Sequence, residues 1–463
     1  MALVLHNGAT GKREEFVPLR HDSVGMYVCG PTVYDFAHIG NARPVIVFDV
    51  LYRLLKRRYA TVHYVRNITD IDDKINARAK ASGEPILAIT ARTTAAFHED
   101  MAALGALPPD AEPRATSHIP QMIAMIERLI ERGFAYVAAG HVLFNVPAKA
   151  DYGKLSNRSR DELIAGARID VAPYKRDAAD FTLWKPSDAE TPGWDSPWGR
   201  GRPGWHIECS AMSLAQLGKT FDIHGGGRDL VFPHHENEVA QSEAANGAPF
   251  VRYWVHNGFL TVNGEKMSKS LGNFIIVRDA LKQAPGEALR LNMLSTHYRA
   301  PMDWNDDGIA RARLALDRWY GLIEKAEVHW GRSITPDTHL PAGVEAALDD
   351  DLNTPQAIAE MHQIANAAFQ CGTEDALVPA AAALKAAGLV LGILQDEAHH
   401  WFRWQPRGAD GLDEAAIEAA IEARKAARKA KDFAQADRIR DDLVARGIVL
   451  EDGPAGTKWK RVS

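Results

Sequence analysis

The chain has 463 residues and a mass of 50.9 kDa, which exceeds what one ordinary hydrophobic core holds, so we expect about three domains. Hydrophobic residues make up 46% of the sequence and charged residues 25%, as in an ordinary globular protein. No apolar run reaches roughly 18 residues, which excludes a membrane-spanning helix. The N-terminal stretch lacks the basic and apolar regions of a secretory signal.

The cysteine content and the net charge indicate the compartment in which the protein works and the kinds of partner it binds. Three cysteines, Cys29, Cys209 and Cys371, are too few and too far apart for a disulfide framework, so we expect a reducing compartment, the cytoplasm. With 54 basic and 60 acidic residues the net charge is −6, which argues weakly against non-specific binding of nucleic acid. The sequence shows no exposed apolar seam, and we therefore expect a monomer.

Strand and helix signals alternate along the first part of the chain. Runs of apolar and β-branched residues predict strands at 25–29, 61–65, 141–144 and 221–224. An amphipathic pattern predicts a helix at 40–57, between the first two strands. Glycine and proline predict turns at 30–32 and 225–227, and a further helix follows Pro233. Strand, helix and strand in this order begin a parallel doubly wound sheet, whose ligands bind at the carboxyl ends of the strands.

The later part of the chain is rich in alanine and is predicted to be helical. Helical segments are predicted at 307–328, 344–370, 376–395, 413–430 and 433–446, and a small hairpin at 448–459. The fold class is therefore α/β: a doubly wound parallel (Rossmann-type) sheet domain with an insertion, followed by an α-helical bundle and a small C-terminal α+β tail. The predicted boundaries are 1–100 and 200–304 for the two halves of the sheet domain, 101–199 for the insertion, 305–400 for the bundle and 401–463 for the tail.

Two motifs have the features of phosphate-binding sites. His38-Ile39-Gly40-Asn41 lies near the start of the first predicted helix, where free backbone N–H groups and the positive end of the dipole attract phosphate. Lys266-Met267-Ser268-Lys269-Ser270 places two lysines in a loop with glycines nearby, which can neutralise a leaving pyrophosphate. Taken alone, the first motif is more simply a capping or surface histidine, and the alternative for the second is a solvated basic turn.

A third group of residues has the chemistry of a metal site. His234 and Glu238 are four residues apart in a predicted helix and share one face, while Cys29 and Cys209 lie at the edge of the same predicted sheet. All four are competent zinc ligands, and a site of four is tetrahedral. His235 is the rival ligand, but helical geometry is expected to turn it away from Glu238. Either cysteine taken alone is more often a small buried hydrophobe.

Two charged clusters have simpler explanations than a binding site. Asp70, Asp72 and Asp73 do not match the spacing of a calcium loop and are expected at a helix N-terminus. A basic track near the C-terminus is, on charge alone, favoured as a solvated helix face by about two to one. The track consists of Arg424, Lys425, Arg428, Lys429, Lys431, Lys458, Lys460 and Arg461.

Together these motifs resemble those of class I aminoacyl-tRNA synthetases, and within that class the chain is similar to cysteinyl-tRNA synthetases along nearly its whole length. A motif of the HIGH type, an insertion and KMSKS follow in the order typical of the class. Asn41 departs from the HIGH pattern, which has histidine there, and we expect activity to survive because His38 and Gly40 are in place. Three longer stretches are specific to the family: Cys29-Gly30-Pro31-Thr32-Val33-Tyr34-Asp35, Gly204-Trp205-His206-Ile207-Glu208-Cys209, and Asp222-Ile223-His224-Gly225-Gly226-Gly227 continuing to Phe232-Pro233-His234-His235-Glu236-Asn237-Glu238.

The resemblance implies one zinc ion per chain, bound by Cys29, Cys209, His234 and Glu238, with the thiol of the substrate joining the metal. Because zinc stabilises a thiolate far better than it binds serine's hydroxyl, cysteine is selected without an editing domain. The other roles it implies are catalysis by His38, Lys266 and Lys269, ATP binding by Gly40, Asn41, His256 and Lys269, and an amino-acid pocket lined by Thr69, Trp205 and His224.

The implied function is that of a cysteine–tRNA ligase. The carboxylate of L-cysteine attacks the α-phosphate of ATP, accompanied by Mg²⁺, and the cysteinyl-adenylate then passes cysteine to the 3′ end of tRNA(Cys). The sheet domain is expected to be catalytic, the bundle to bind the tRNA and the tail to bind its anticodon. Trp459, between two lysines, is either a base-stacking platform or the core of the hairpin.

Three other functions remain open at this point. A related ligase activates cysteine in the same way but delivers it to a small amine such as an amino sugar; the bundle and basic tail argue against it. A catalytically inactive relative would only bind RNA or a protein partner, and intact His38, Lys266 and Lys269 argue against that. A purely structural zinc site would stabilise the fold without any dependence on cysteine.

Overall fold

A computed structural model describes residues 2–157, 172–268, 271–406, 412–453 and 456–461. The chain forms two compact units. The first comprises Met1–Val277, Met293–Trp304 and Ala342–Ala357, and the second comprises Arg278–Asn292, Asn305–Pro341 and Ile358–Ser463. The segment 342–357 thus returns to the first unit after the long helix that precedes it in the chain.

The strands in the first unit are short and belong to several sheets. They are β1 (Val4–Asn7), β2 (Lys12–Glu15), β3 (Ser23–Val28), β4 (Thr61–Arg66), β5 (Ala135–Ala138), β6 (His141–Phe144), β7 (Phe181–Pro186), β8 (Gly201–Pro203), β9 (Phe221–Gly227), β10 (Val251–Asn257), β11 (Leu260–Val262), β12 (Glu265–Lys266) and β13 (Met302–Trp304). The four strands β10-β9-β3-β4 form a parallel sheet in that order. Because these strands are parallel, the residues that follow their carboxyl ends lie at one edge of the sheet.

Helices connect the strands and continue through the second unit. The helices up to residue 246 are α1 (Ile39–Arg58), α2 (Asp73–Ser82), α3 (Ile86–Ala103), α4 (Ile119–Glu131), α5 (Trp205–Leu217) and α6 (Glu236–Asn246). The later helices are α7 (Val277–Gln283), α8 (Gly286–Leu294), α9 (Asp306–Trp330), α10 (Ala342–Asp349), α11 (Thr354–Cys371), α12 (Leu377–Leu391), α13 (Ala398–Arg403), α14 (Glu414–Lys429) and α15 (Phe433–Ala445). In the described parts of the chain, none of these helices combines the length and hydropathy that spanning a bilayer requires.

The first α/β unit agrees with its sequence pattern. Helix α1 begins and ends within one residue of the predicted 40–57 and buries Phe48, Leu51 and Leu55. Its last turn carries Lys56, Arg57 and Arg58, where positive charge suits the negative end of the helix dipole. The doubly wound parallel sheet is confirmed.

The predicted turn at 225–227 is wrong, because β9 continues through all three glycines. A Cβ placed on Gly225 would lie 2.3 Å from the ring of Phe48. Glycine is needed there so that helix α1 can pack closely against the strand, and not to reverse the chain direction.

The insertion holds more sheet than the sequence indicated. A single strand was expected at 141–144, whereas β5-β6-β7-β8 form an antiparallel sheet in that order. Asp180 supports it by accepting hydrogen bonds from the Tyr136 hydroxyl at 2.6 Å and from the Val146 N–H at 2.9 Å.

In the helical part of the chain, the predicted segment 344–370 is interrupted. Helices α10 and α11 are separated at residues 350–353, where Asp351 and Leu352 both have positive φ angles of 58° and 51°. The Asp351 carboxylate accepts hydrogen bonds from the His6 N–H at 2.8 Å and the Tyr298 hydroxyl at 2.7 Å. Buried contacts of this kind hold a backbone conformation that non-glycine residues seldom adopt.

The C-terminal part of the second unit has a small core of its own. The antiparallel strands β14 (Ile448–Gly453) and β15 (Gly456–Arg461) pack with helices α13, α14 and α15. The core residues are Ile417, Ile421, Leu443, Ile448 and Trp459. A helical region followed by a small strand pair was expected from the sequence, and this order is confirmed.

Candidate active site and metal centre

Two thiols from distant parts of the sequence meet at the carboxyl edge of the parallel sheet. Cys29 directly follows β3, and its N–H donates to the carbonyl of Gly225 at 3.1 Å. Its Sγ lies 3.8 Å from the Sγ of Cys209, on helix α5, and 3.5 Å from Oε1 of Glu238, on helix α6. The side chains of Cys209 and Glu238 are buried, so the thiols and the carboxylate share a largely water-free site.

This edge contains two overlapping groups of four side chains. The ligand atoms of Cys29, Cys209, His234 and Glu238 all lie within 4.8 Å of one another, and the same holds for Cys29, His224, His235 and Glu238. The first group is the predicted one. Two thiols, an imidazole and a carboxylate are a donor set that suits zinc, so the residues present fit a metal ion.

The expectation that His235 faces away from Glu238 is wrong. Its Nε2 lies 4.0 Å from Oε1 of Glu238 and 3.4 Å from the Sγ of Cys29. Residues three apart on a helix also share a face, and the turn Val231–His235 is of the π type with a non-helical Phe232. His234 lies closer to Glu238, at 3.0 Å.

The groups of the cluster shift one another's pKa values in different directions, and metal binding requires His234 to lose its proton. Although burial opposes ionisation, His224 and His234 lower the pKa of Glu238 to about 2. Burial also disfavours a charged imidazole, yet Glu238 and Cys209 raise the pKa of His234 to about 10. Burial raises the pKa of the Cys29 thiol, whereas a hydrogen bond from that thiol lowers the pKa of Cys209 to about 6. One thiolate is therefore accessible near neutral pH.

Further histidines orient the candidate ligands. Nε2 of His224 lies 2.9 Å from Oε2 of Glu238, and Nδ1 of His206 lies 2.9 Å from Nδ1 of His234. The ring of His224 stacks on Trp254 with centroids 4.5 Å apart. Burial lowers the pKa of His206 to about 3, so this imidazole is neutral and can accept or donate one hydrogen bond. Such contacts restrain the rotation of ligand side chains.

The residues predicted for the amino-acid pocket lie around this cluster. Thr69 is buried and donates its hydroxyl to Glu208 at 3.2 Å. Trp205 begins helix α5, is 39% exposed, and stacks on His234 at a centroid distance of 4.1 Å. His224 is fully buried behind Glu238. Trp205 thus has the exposure needed to contact a substrate, while His224 contacts Glu238.

His256, predicted near the adenine, lies at the end of β10 beside the same cluster. Its Nε2 lies 2.8 Å from Nδ1 of His235, and its ring is parallel to that of Trp254, with centroids 6.0 Å apart. Burial lowers the pKa of His256 to about 3. A neutral imidazole at this position extends the histidine cluster through His235.

The first phosphate-binding motif lies at the start of α1. His38 is the N-cap residue, and its N–H donates to the side-chain oxygen of Asn41 at 3.1 Å. Asn41, which stands where the HIGH pattern has histidine, therefore contributes to capping the helix N-terminus through this hydrogen bond. A Cβ on Gly40 would lie 2.9 Å from the His38 ring and 3.4 Å from Cε of Met267, so the HIGH-type and KMSKS motifs lie side by side at Gly40.

The segment that follows the second motif pairs through its backbone with the first motif. The Ile39 N–H donates to Ile275 at 3.1 Å, and the Val277 N–H donates to Ala37 at 2.9 Å. Lys266 lies in β12 with an exposed side chain. Lys269 lies outside the described residues. Within the described part of this motif, Met267 lies beside Gly40.

Three family models match the chain in sequence order. They are the class I (C) tRNA synthetase catalytic domain at 15–314, the DALR domain at 343–395 and the cysteinyl-tRNA ligase anticodon binding domain at 410–459. A cysteine–tRNA ligase from Paramagnetospirillum magneticum is 64% identical, and one from Rhodospirillum centenum is 62% identical, each over 462 residues with 100% of both chains covered. The chain belongs to the cysteine–tRNA ligase family.

Solved structures with low sequence identity share the fold of this cysteine–tRNA ligase family member. A LeuRS from Agrobacterium radiobacter K84, in a ternary complex with tRNA and LeuAMS, has a TM-score of 0.60 at 12% identity, with 86% of each chain covered. A Mycobacterium tuberculosis methionyl-tRNA synthetase bound to methionyl-adenylate has a TM-score of 0.54 at 18% identity, with 82% of this chain and 83% of that one covered. The class I synthetase fold is confirmed.

The comparisons do not support the alternative that the chain is an amine ligase. The match to an anticodon binding domain covers 410–459, within the predicted tail. The full-length relatives named above are tRNA ligases. The chain is therefore a class I aminoacyl-tRNA synthetase by family, with the C-terminal region that such an enzyme uses for RNA.

Several residues of this family member that contact the candidate ligands were given no role in the predicted site, His235 having been considered only as the rival ligand. His206, His235, Asn67 and Trp254 all contact the candidate ligands or each other. His206 and His235 lie inside the stretches that carried the family resemblance, so the density of histidines there was the available signal. Asn67 follows β4 and accepts a hydrogen bond from the Gly30 N–H at 2.9 Å, a contact that no local pattern indicates.

In the C-terminal region of this synthetase, Trp459 is a core residue. It is 5% exposed, and its Nε1–H donates to Glu418 at 2.7 Å. The interpretation of Trp459 as a base-stacking platform is therefore wrong, and its interpretation as the core of the hairpin is confirmed. Arg424 and Arg428 both pair with Asp452. Much of the predicted basic track is therefore neutralised within the chain. Among the described residues of that track, no ion pair is present at Lys429, Lys431 and Lys458.

The simple explanation of the acidic cluster holds. Asp72 caps helix α2 by accepting from the Lys74 N–H at 2.7 Å. Asp70 accepts from the Thr116 hydroxyl at 2.6 Å, and Asp73 pairs with Lys185 and Arg202. These carboxylates are engaged in a helix cap, in hydrogen bonds from Thr116 and in ion pairs.

Proposed function

We propose that this chain activates L-cysteine with ATP and transfers it to the 3′ end of tRNA(Cys), selecting cysteine by coordination of its thiolate to zinc. The observation that carries the proposal is the convergence of Cys29, Cys209, His234 and Glu238, with their ligand atoms within 4.8 Å of one another. Their position at the carboxyl edge of the parallel sheet is where ligands bind in this class of fold.

In the proposed site, Cys29, Cys209, His234 and Glu238 hold one zinc ion per chain. When bound, zinc supplies a Lewis-acid position that holds a thiolate far better than a hydroxyl, which separates cysteine from serine. The rejection of serine then needs no second, editing reaction. Within the chain, His224 restrains Glu238 and His206 restrains His234, so the two ligands keep their orientation.

Thr69, Trp205 and His224 line the proposed amino-acid pocket. Trp205 presents an exposed ring face beside His234, which gives the substrate an apolar surface next to the metal. The buried hydroxyl of Thr69, hydrogen-bonded to Glu208, provides a polar group for the pocket. His224 acts from behind Glu238 and supports the pocket through that contact.

ATP binds, in this proposal, across the start of helix α1. Gly40 leaves room for the phosphates close to the backbone, Asn41 closes the helix N-terminus, and His256 lies on the adenine side. The cysteine carboxylate forms a bond to the α-phosphorus while the bond to the pyrophosphate oxygen breaks. His38, Lys266 and Lys269 stabilise the charge that accumulates on the phosphates, and Mg²⁺ accompanies ATP.

The second step transfers the activated cysteine to RNA. A ribose hydroxyl at the 3′ end of tRNA attacks the adenylate carbonyl, and AMP leaves. We assign catalysis to residues 1–100 and 200–304 with the insertion 101–199, tRNA binding to the bundle 305–400 and anticodon binding to the tail 401–463. The match to an anticodon binding domain supports the last assignment. We further propose a monomeric enzyme in the cytoplasm, where free thiols such as Cys371 stay reduced.

The test is a charging assay with the purified chain, ATP, Mg²⁺, total tRNA and labelled cysteine, with serine in parallel. We expect cysteine-specific label on acid-precipitated RNA. Cysteine-dependent pyrophosphate exchange without charging of RNA would overturn the transfer step, and absence of both from folded, zinc-loaded protein would overturn the function. Cys209→Ser is expected to abolish activation; full activation by a folded, zinc-free Cys209→Ser variant would overturn the role of zinc.

A further inference from the structure

A buried arginine lies in helix α1, three residues beyond Gly40. Arg43 is 1% exposed. Its Nη1 donates to the carbonyls of Gly258 at 2.8 Å and Phe259 at 2.6 Å. Its Nη2 donates to Ala300 at 2.7 Å and, with longer contacts of 3.4 and 3.5 Å, to Tyr298 and His297.

The chemistry of this contact is unusual for a buried charge. A charged group in a protein interior is costly unless it is paired or hydrogen-bonded, and Arg43 meets backbone carbonyls, which carry only partial charge. Burial lowers its pKa to about 10, which still leaves the guanidinium charged at neutral pH. Its planar fork can reach several acceptors at once, which a lysine cannot do.

The carbonyls that Arg43 holds precede two strands of one small sheet. Gly258 and Phe259 come directly before β11, and the acceptors at 297–300 come just before β13. Strands β11 and β13 are parallel, so their starting ends lie side by side. A single guanidinium therefore clamps one end of this sheet to helix α1.

The clamped sheet carries the first lysine of the KMSKS segment. Strand β12 pairs with β11, with Lys266 opposite Thr261. The clamp is tight: a Cβ on Gly258 would lie 2.4 Å from the Ala300 carbonyl oxygen. On the far side of the motif, residues 275–277 pair with 37–39 at the start of α1. Both sides of the lysine-bearing segment are thus fixed to the helix that begins at His38.

We propose that Arg43 is a positioning residue for the ATP step, holding the β12-β11-β13 sheet on helix α1 so that Lys266 meets the phosphates bound at His38 and Gly40. This inference rests on the proposed function. Lys266 contributes where charge develops as pyrophosphate leaves, so a displaced sheet costs transition-state stabilisation more than substrate binding. The cysteine pocket at Cys29 and Cys209 lies outside this clamp and keeps its affinity.

The test compares Arg43→Lys, which keeps the charge, with a matched control, Arg290→Lys. Arg290 is also fully buried and donates to the Leu391 carbonyl at 2.5 Å, within the second unit. We expect Arg43→Lys to lower kcat of cysteine-dependent ATP–pyrophosphate exchange on the order of 10- to 100-fold, with KM for cysteine unchanged. Arg290→Lys is expected to lower the melting temperature and to leave kcat unchanged.

Double-mutant cycles separate positioning from simple stabilisation. If Arg43 acts through Lys266, Arg43→Lys combined with Lys266→Ala loses little more activity than Lys266→Ala alone. Multiplicative losses, or an Arg43→Lys variant with normal kcat and only a lower melting temperature, would overturn the inference. Gly258→Ala shifts the same sheet end without touching the charge, and we expect the same loss of kcat. No cysteine-dependent exchange by the wild-type chain would instead overturn the proposed function.

Discussion

The Nε2 atom of His235 lies 3.4 Å from the Sγ atom of Cys29. Two groups of candidate ligands therefore overlap at the sheet edge, since Cys29 and Glu238 belong to both. The group with His234 contains both thiols, and thiolates are strong zinc ligands. The group with His235 contains one thiol and two imidazoles. The neighbouring histidines can thus be distinguished by their effect on metal content.

We expect His234→Asn to lose its metal, because this removes one of four ligands. His235→Asn is expected to retain metal, with affinity lowered about 10- to 100-fold at most, as for a residue that contacts a ligand without binding the ion itself. Elemental analysis after gel filtration measures metal per chain, with thermal unfolding as the folding control. Metal retained by His234→Asn and lost from His235→Asn would assign the ion to the group with His224.

Gly30→Ala is expected to release the metal by moving Cys29. A Cβ at this position would lie 1.6 Å from the carbonyl oxygen of Asn67, so the backbone beside Cys29 has to shift. We expect a loss of about 3 kcal/mol or more in the free energy of unfolding, together with loss of metal and of cysteine activation. Denaturant unfolding and metal analysis measure both effects.

The matched control for Gly30→Ala is Gly321→Ala, in the interior of helix α9. There the nearest atom to an added Cβ is Cζ of Phe402 at 3.9 Å, which is an ordinary contact. We expect stability to increase by about 0.5–1 kcal/mol, because alanine loses less conformational entropy in a helix. Full metal content in Gly30→Ala would show that the Asn67 segment yields without moving Cys29.

Trp459→Ala is expected to destabilise the C-terminal core, and not to remove a direct contact with RNA. The indole is buried between helix α14 and the hairpin and donates to Glu418. Large-to-small replacement of a core tryptophan costs about 3–5 kcal/mol. Circular dichroism during thermal unfolding measures this loss. Lys458→Ala is the control, with unchanged stability; a fully stable Trp459→Ala variant with weakened RNA binding would restore the stacking role.

Glu287 is expected to make stability depend on pH. Its carboxyl accepts hydrogen bonds from the N–H groups of Leu394 at 2.9 Å and Gln395 at 2.8 Å and from the Tyr320 hydroxyl at 2.9 Å. Burial raises the pKa of Glu287 above its ordinary value. The folded state therefore binds the proton more tightly than the unfolded state. Its contribution to stability is fully present below the unfolded pKa, about 4.3, and is lost as the pH rises through the folded pKa.

Glu287→Gln removes that titration. We expect the free energy of unfolding of the variant, relative to wild type, to rise from about pH 4 to about pH 7, measured by urea unfolding across this range. Glu84→Gln provides the control: a hydrogen bond from Arg92 lowers the pKa of Glu84, so its contribution to stability changes only below about pH 4.3, and its relative stability is expected to stay level from about pH 5 to pH 7. A relative stability of Glu287→Gln that does not change with pH would contradict the raised pKa.

Much of the fold was predictable because its signals are local. The period of apolar residues identified helix α1 and strands β3 and β4. The triple glycine was misassigned because its reason is distant in sequence: Gly225 has to fit beneath Phe48. The break between α10 and α11 escaped for the same reason, since it depends on contacts that Asp351 makes with His6 and Tyr298.

For the candidate site too, features with local sequence signals were predicted, and features that depend on distant contacts were not. Long motif strings identified Cys29, Cys209, His234 and Glu238 as a group, although the two cysteines are far apart in the chain. The position of His235 was predicted incorrectly because the i,i+3 neighbourhood of His235 and Glu238 was overlooked; the π-type turn at Val231–His235 also brings the ring to Cys29. Arg43 carried no signal, because the carbonyls that it holds lie more than 200 residues away.

By itself, the sequence determined the order of strands and helices, the family, and the residue types that the chemistry needs, because periodicity and motif spacing are properties of neighbouring residues. Only the tertiary structure decided which histidines reach the thiols, which carbonyls bind the Arg43 guanidinium, and that Trp459 is buried. Those outcomes depend on distances of a few ångströms between segments far apart in the chain. Such distances are set by the packing of the whole fold.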